Sequence, residues 1–160
     1  MSDSQAFEKK TFIDFVRQGH FYEAYNMIKS EDDIELAFES LFKMSYDEDN
    51  ITGQAFCHYV FSVTKDSQWL IKCMTLLTMA NSSVEGAYAL ALHYARELYD
   101  SFHTIEALNW MLFLYSLPED LLSDDEAFDI AQKILTVESD NKKAKKIIED
   151  IQKKKNSDSG

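Results

Sequence analysis

The chain of 160 residues contains one proline and four glycines. A β-sandwich or barrel spends many such residues on its turns, so their scarcity speaks against an all-β fold. Cysteine is equally sparse, at two, which argues against the disulfide framework of a small secreted domain. Cys57 and Cys73 lie in apolar contexts and are expected as buried, reduced thiols. No stretch approaches the roughly 18 uninterrupted apolar residues of a membrane span. The opening MSDSQAFEKK is polar and lacks the apolar segment of a signal peptide. These absences together give the expectation of a cytoplasmic protein that does not engage a membrane.

Positive charge is also short. There are 16 Lys and Arg against 28 Asp and Glu, a net charge of −12. The imbalance is uneven: residues 1–140 hold 9 basic and 25 acidic side chains, and residues 141–160 hold 7 lysines and 3 acids. The body is thus at −16 and the last twenty residues at +4. An acidic body repels phosphate backbones, so no nucleic-acid binding is expected of it. The same field favours encounter with a basic protein partner.

What the chain does have is apolar and aromatic material: 46% hydrophobic residues, with 11 Phe, 8 Tyr and 2 Trp. Its spacing is helical. Ile34, Ala37, Phe38, Leu41 and Phe42 fall on one helix face, with Ser30 placed to cap and Asp32 and Asp33 in the first turn. The same reading predicts helices over 5–18, closed by Gly19, and over 20–29, with Ala24 facing inward. Beyond the acidic turn 47–50 it predicts 51–64 and 67–80, the second apolar on nearly all sides. Ser82 followed by Glu85, and Ser123 followed by Glu126, have capping-box spacing and predict helices over 83–99 and 124–137. Between these lies 104–116, ending before Pro118, with Leu121 and Leu122 anchoring the loop beyond it. A last helix is predicted from Asp140 to 153, with Ala144, Ile147, Ile148 and Ile151 as its apolar stripe. The expectation is an all-α fold of about nine helices in stacked antiparallel pairs, one domain over 1–153 and a disordered tail over 154–160.

Three stretches carry a family resemblance. Phe15-Val16-Arg17-Gln18-Gly19-His20-Phe21-Tyr22-Glu23-Ala24 resembles the turn of a tetratricopeptide repeat, with Gly19 and Ala24 at the close approach of two helices. Ala87-Tyr88, Leu90-Ala91, Tyr94-Ala95 and Glu106-Ala107-Leu108-Asn109-Trp110 together resemble a Sel1-like repeat, with Ala95 and Ala107 at the crossing. Ala131, Ile134-Leu135, Glu138-Ser139-Asp140-Asn141 and Ala144 resemble the end of one tetratricopeptide unit running into the next helix. The resemblance covers about half the chain. Phe12 stands where that family has a small residue, and residues 30–82 match only as alternating helices. The likeness implies an α-solenoid with a right-handed superhelical twist and a groove lined by the first helix of each pair. Counted from Ala95, the implied groove residues are Leu92, Arg96 and Tyr99.

Catalytic constellations are missing from the sequence. His93 and Glu97 share a helix face, but a third ligand at metal spacing is lacking, so no metal is expected. Cys57 and His58 point about 100° apart on a helix and cannot serve as nucleophile and base to each other. The acidic runs at 32–33, 47–49 and 124–126 sit at helix starts and turns, where capping accounts for them. Phosphate loops, GxSxG, CxxC and HEXXH are absent. The sequence therefore leads to the expectation of a protein–protein interaction module with no cofactor and no enzymatic activity, whose acidic surface binds a basic partner. The alternative expectation is a bacterial immunity protein that covers the basic active site of a cognate toxin, such as a nuclease.

Overall fold

The computed structural model describes residues 6–159. Among them lie nine α-helices and no strand. The chain divides into two compact units, Met1–Ala91 and Leu92–Gly160.

The first unit opens with α1 (Lys9–Arg17), whose N-terminus is capped by Glu8 accepting from the Thr11 amide at 2.9 Å. Ala6 and Phe7 precede it as non-helical chain, and the expected start at residue 5 lies outside the described residues. Gly19 closes α1 at φ +76°. The Gly19 amide donates to the Val16 carbonyl and the His20 amide to the Phe15 carbonyl, at 3.1 and 2.8 Å. That pair of bonds is a Schellman closure, which needs the left-handed backbone that glycine adopts without strain.

The next helix, α2 (Phe21–Asn26), stops three residues short of the expected 29. The Lys29 amide is drawn onto Asp33 Oδ2 at 2.8 Å, while Ser30 Oγ accepts from the Asp33 amide at 3.2 Å. This reciprocal cap starts α3 (Glu31–Glu48) and takes the preceding residues out of α2. Two further helices, α4 (Thr52–Thr64) and α5 (Ser67–Thr75), are joined by Lys65-Asp66 and pack on each other. A two-residue link between packed helices reverses the chain. The Phe56 ring makes edge contacts with Phe12, Phe21 and Trp69, at centroid distances of 5.3, 5.8 and 6.1 Å. Phe56 and Phe12 are fully buried, so the bulky residue at position 12 fills the core through an aromatic cluster.

The end of α5 widens into a π-helical turn, Leu76–Ala80. The expected helix start at 83 is not found. The Asn81 side chain donates to the Ser45 carbonyl at 3.0 Å, and Gly86 takes φ +84°. A pinned Asn81 and a left-handed Gly86 leave no helical path between them. Ser82 caps nothing, Ser83 Oγ donates instead to Asp49 Oδ1 at 2.8 Å, and α6 (Ala87–Phe102) begins four residues late.

The second unit holds Leu92–Phe102 of α6 together with α7 (Ile105–Tyr115), α8 (Asp124–Val137) and α9 (Lys142–Asp158). Side-chain caps start the last three. Thr104, Ser123 and Asn141 accept from the amides of Ala107, Glu126 and Ala144 at 3.3, 3.1 and 2.9 Å. The helices pack in sequence, α7 on α8 and α8 on α9. Ala95, Ala107, Ala127, Ala131 and Ala144 are all fully buried, and small side chains let helix axes approach closely. Leu122 is buried as expected, holding the α7–α8 link to the core.

α9 continues to Asp158, five residues beyond the expected end at 153. Lys154 and Lys155 form ion pairs with Asp124 and Asp125, and these hold the extra turns. Gly160 lies outside the described residues.

Candidate functional site

A cleft of about 510 Å³ opens in the second unit. Its rim on α6 is Arg96, Tyr99 and Asp100, at i, i+3 and i+4 on one helix face. Leu108 and Met111 of α7 and Ile130 of α8 give it an apolar floor, and all three are buried. Opposite the α6 rim, α8 presents Asp125, Asp129 and Lys133 at four-residue steps, with Glu126 beside them.

Two contacts span the cleft. Arg96 Nη2 donates to both carboxylate oxygens of Glu126, at 2.8 and 3.1 Å. The Lys133 ammonium lies 5.5 Å from the centroid of the Tyr99 ring, a cation–π distance. Tyr99 is held on its own helix by the His103 ring, 5.3 Å away centre to centre. His103 ends α6 in the left-handed region, its amide donating to the Tyr99 carbonyl at 2.7 Å.

The charge balance of the wall is acidic, with Asp100, Asp125, Glu126 and Asp129 against Arg96 and Lys133. Glu126 is engaged by Arg96 and Asp125 by Lys155 at 2.9 Å. Asp100 and Asp129 have no ion pair among the described residues, so they retain attraction for an incoming cation.

Beside the cleft, Asp124 accepts from Lys154 Nζ at 2.9 Å and from the Tyr115 hydroxyl at 2.8 Å. The Lys154 bond, followed by the Tyr115 bond, holds the Asp124 carboxyl below the usual range. Burial, then the bond to Asp124, pushes the Tyr115 phenol up to about 12.

The three residues singled out from the repeat resemblance separate here. Arg96 and Tyr99 both line the cleft. Leu92 does not: it is buried, 5% exposed, and serves packing. It lies four residues before Arg96, yet its neighbours Ala91 and Ala95 are buried with it, which turns that turn of the helix inward. The α8 side of the site was not anticipated. Its signal lies in the four-residue spacing of Asp125, Asp129 and Lys133, of which the sequence reading covers only Asp125, as part of the capping run 124–126.

A second cavity of about 290 Å³ lies in the first unit, where Lys9, Lys10, Arg17 and Lys43 meet Asp47 and Glu48. Its cations are largely spent: Arg17 on Glu48 and Asp14, Lys43 on Asp47, Lys9 on Glu39. Both thiols are buried and neither is in a disulfide, Cys73 Sγ donating to the Gln54 carbonyl at 3.4 Å. Among the described residues no three His, Cys, Asp or Glu side chains gather to hold a metal, and no helix is long and apolar enough to cross a membrane.

Comparison with known proteins returns no matching family, no matching curated protein and no matching solved structure. The class defined here is therefore an all-helical protein in which neighbouring helices pack on one another and one unit bears an acidic cleft.

Proposed function

We propose that the chain is a non-enzymatic protein-binding module, and that the cleft of the second unit takes a basic segment of a partner protein. The single observation that carries this reading is the cleft wall, where Asp100 and Asp129 stay uncompensated beside an apolar floor and an aromatic ring. Carboxylates on a rim attract and orient a cation, and apolar side chains behind them retain the segment that bears it. The reading keeps the tetratricopeptide and Sel1-like likeness as its structural frame, with Arg96 and Tyr99 as groove residues. The buried thiols, outside any disulfide, suit a cytoplasmic protein.

A toxin-inhibitor version follows from the same charge. At −12 the chain would be drawn to the basic active site of a nuclease and could cover it. The two versions differ in salt response and in the number of partners.

Affinity purification from the native cell tests the reading, with the wild-type chain and Asp100→Asn/Asp129→Asn as baits at low and high salt. The expected result is a basic protein retained by the wild type and lost with the double variant. Equal recovery by both baits would contradict the cleft as the binding site. A single tight nuclease partner would favour the inhibitor version.

A further inference from the structure

The acidic edge of the cleft is already in use by the chain's own lysines. Lys154 and Lys155 pair with Asp124 and Asp125, both contacts at 2.9 Å and each spanning 30 residues of sequence. The Lys155 ammonium also lies 5.7 Å from the centroid of the Phe128 ring. Asp124 is fixed as an acceptor from behind by the Tyr115 hydroxyl. Asp125 belongs to the cleft wall itself.

The earlier part of α9 is fastened differently. Ala144, Ile147 and Ile151 are buried against the unit. Beyond Ile151 every described residue is exposed, so the segment 152–159 is retained by surface charge and one cation–π contact. Exposed ion pairs of this kind are weak and are screened by salt. A weak, lysine-based contact on the edge of an acidic cleft yields to a second lysine-bearing helix that adds contacts with Asp100 and Asp129.

The geometry points to the terminal turns of α9 as an intrachain competitor, which covers Asp124 and Asp125 and is displaced by a lysine-bearing helix of the partner. This inference rests on the reading of the cleft as a site for a basic segment. It adds the chemistry of the partner, a helix carrying adjacent lysines, and a threshold against weakly basic sequences, since a newcomer must outdo Lys154 and Lys155.

The test uses the full chain and a fluorescein-labelled, lysine-rich amphipathic peptide, read by fluorescence anisotropy. Two variants lose the same two positive charges: Lys154→Ala/Lys155→Ala at the contact, and Lys145→Ala/Lys146→Ala on the exposed side of the same helix. The competitor model expects the first to bind the peptide about three- to tenfold more tightly than wild type, and the second to change affinity by less than about twofold. Equal tightening in both variants is a net-charge effect and overturns the competitor while leaving the cleft reading intact. If Asp100→Asn/Asp129→Asn placed on the Lys154→Ala/Lys155→Ala background binds undiminished, the cleft reading fails and the competitor with it. Amide hydrogen exchange needs no peptide and decides the contact independently. Protection over 153–158 is expected to fall with salt in the wild type and to be lost at all salt levels in Lys154→Ala/Lys155→Ala. Protection unchanged by either would overturn the competitor.

Discussion

Arg96 Nη2 reaches both carboxylate oxygens of Glu126, and this ion pair ties the α6 rim of the cleft to the first turn of α8. Its side chains remain 47% and 39% exposed. Water screens such a pair, so it contributes under about 1 kcal/mol to folding. Its larger effect is on the cleft, where it cancels the one guanidinium in the wall. Glu126→Gln is expected to lower stability by less than about 1 kcal/mol in denaturant unfolding. It should also weaken binding of a lysine-rich peptide by about threefold, because Arg96 then faces the ligand uncompensated.

The first unit contains a tight approach of two helices. A Cβ on Gly53 would meet Ser45 Oγ at 2.7 Å. Ser45 is fully buried and its hydroxyl has no hydrogen-bond partner. Gly53→Ala is therefore expected to cost about 1–3 kcal/mol through overpacking. Ser45→Ala removes an unsatisfied buried hydroxyl and should be neutral or stabilising. In the double variant the Gly53→Ala penalty should largely disappear, a coupling measured by a double-mutant cycle in urea.

Helix caps provide a comparison between serines that look alike in sequence. Ser30 and Ser123 each accept an amide three residues on. Either one changed to alanine is expected to lose about 1 kcal/mol. Ser82 has the same spacing to an acid but lies in an exposed turn before the helix starts. Ser82→Ala should stay within about 0.5 kcal/mol of wild type. Equal losses at all three positions would mean that residues 83–86 are helical in solution.

Local signals were readable in the sequence: the 3.6-residue apolar spacing of α3, the glycine closing α1, and the serines starting α3 and α8. The irregular run 81–86 was not, because its cause is the bond from Asn81 to the Ser45 carbonyl, 36 residues away. Turns 154–158 of α9 were read as tail for the same reason, since their partners Asp124 and Asp125 lie 30 residues earlier. At the cleft, Arg96 and Tyr99 are residues that the repeat resemblance implies and that line it, whereas the acids opposing them can be paired with α6 only once α6 and α8 have been brought together. Leu92, implied by the same resemblance, is buried and does not line the cleft, because the register of the repeat does not say which side of α6 is covered.

Tyr115 gives the protein a signature at high pH. Its folded value of about 12 lies above the roughly 10 of a free phenol, so the folded state holds the proton more tightly than the unfolded state. The stabilisation is complete below pH ~10 and is lost as the pH rises from there through about 12. An ultraviolet phenolate titration is expected to show a late phase, and Tyr115→Phe should remove one phenol from it. A late phase of unchanged amplitude in Tyr115→Phe would contradict the assignment.

The central claim is that the cleft between α6 and α8 is where a basic segment binds. The most direct measurement is amide chemical-shift mapping of the labelled full chain during titration with the lysine-rich amphipathic peptide. The account predicts shifts concentrated on 96–100, 108–111, 124–133 and the displaced 153–158, saturating together and vanishing in Asp100→Asn/Asp129→Asn. Shifts centred on the acidic turn 47–49, or scattered over every acidic surface without saturation, would contradict it.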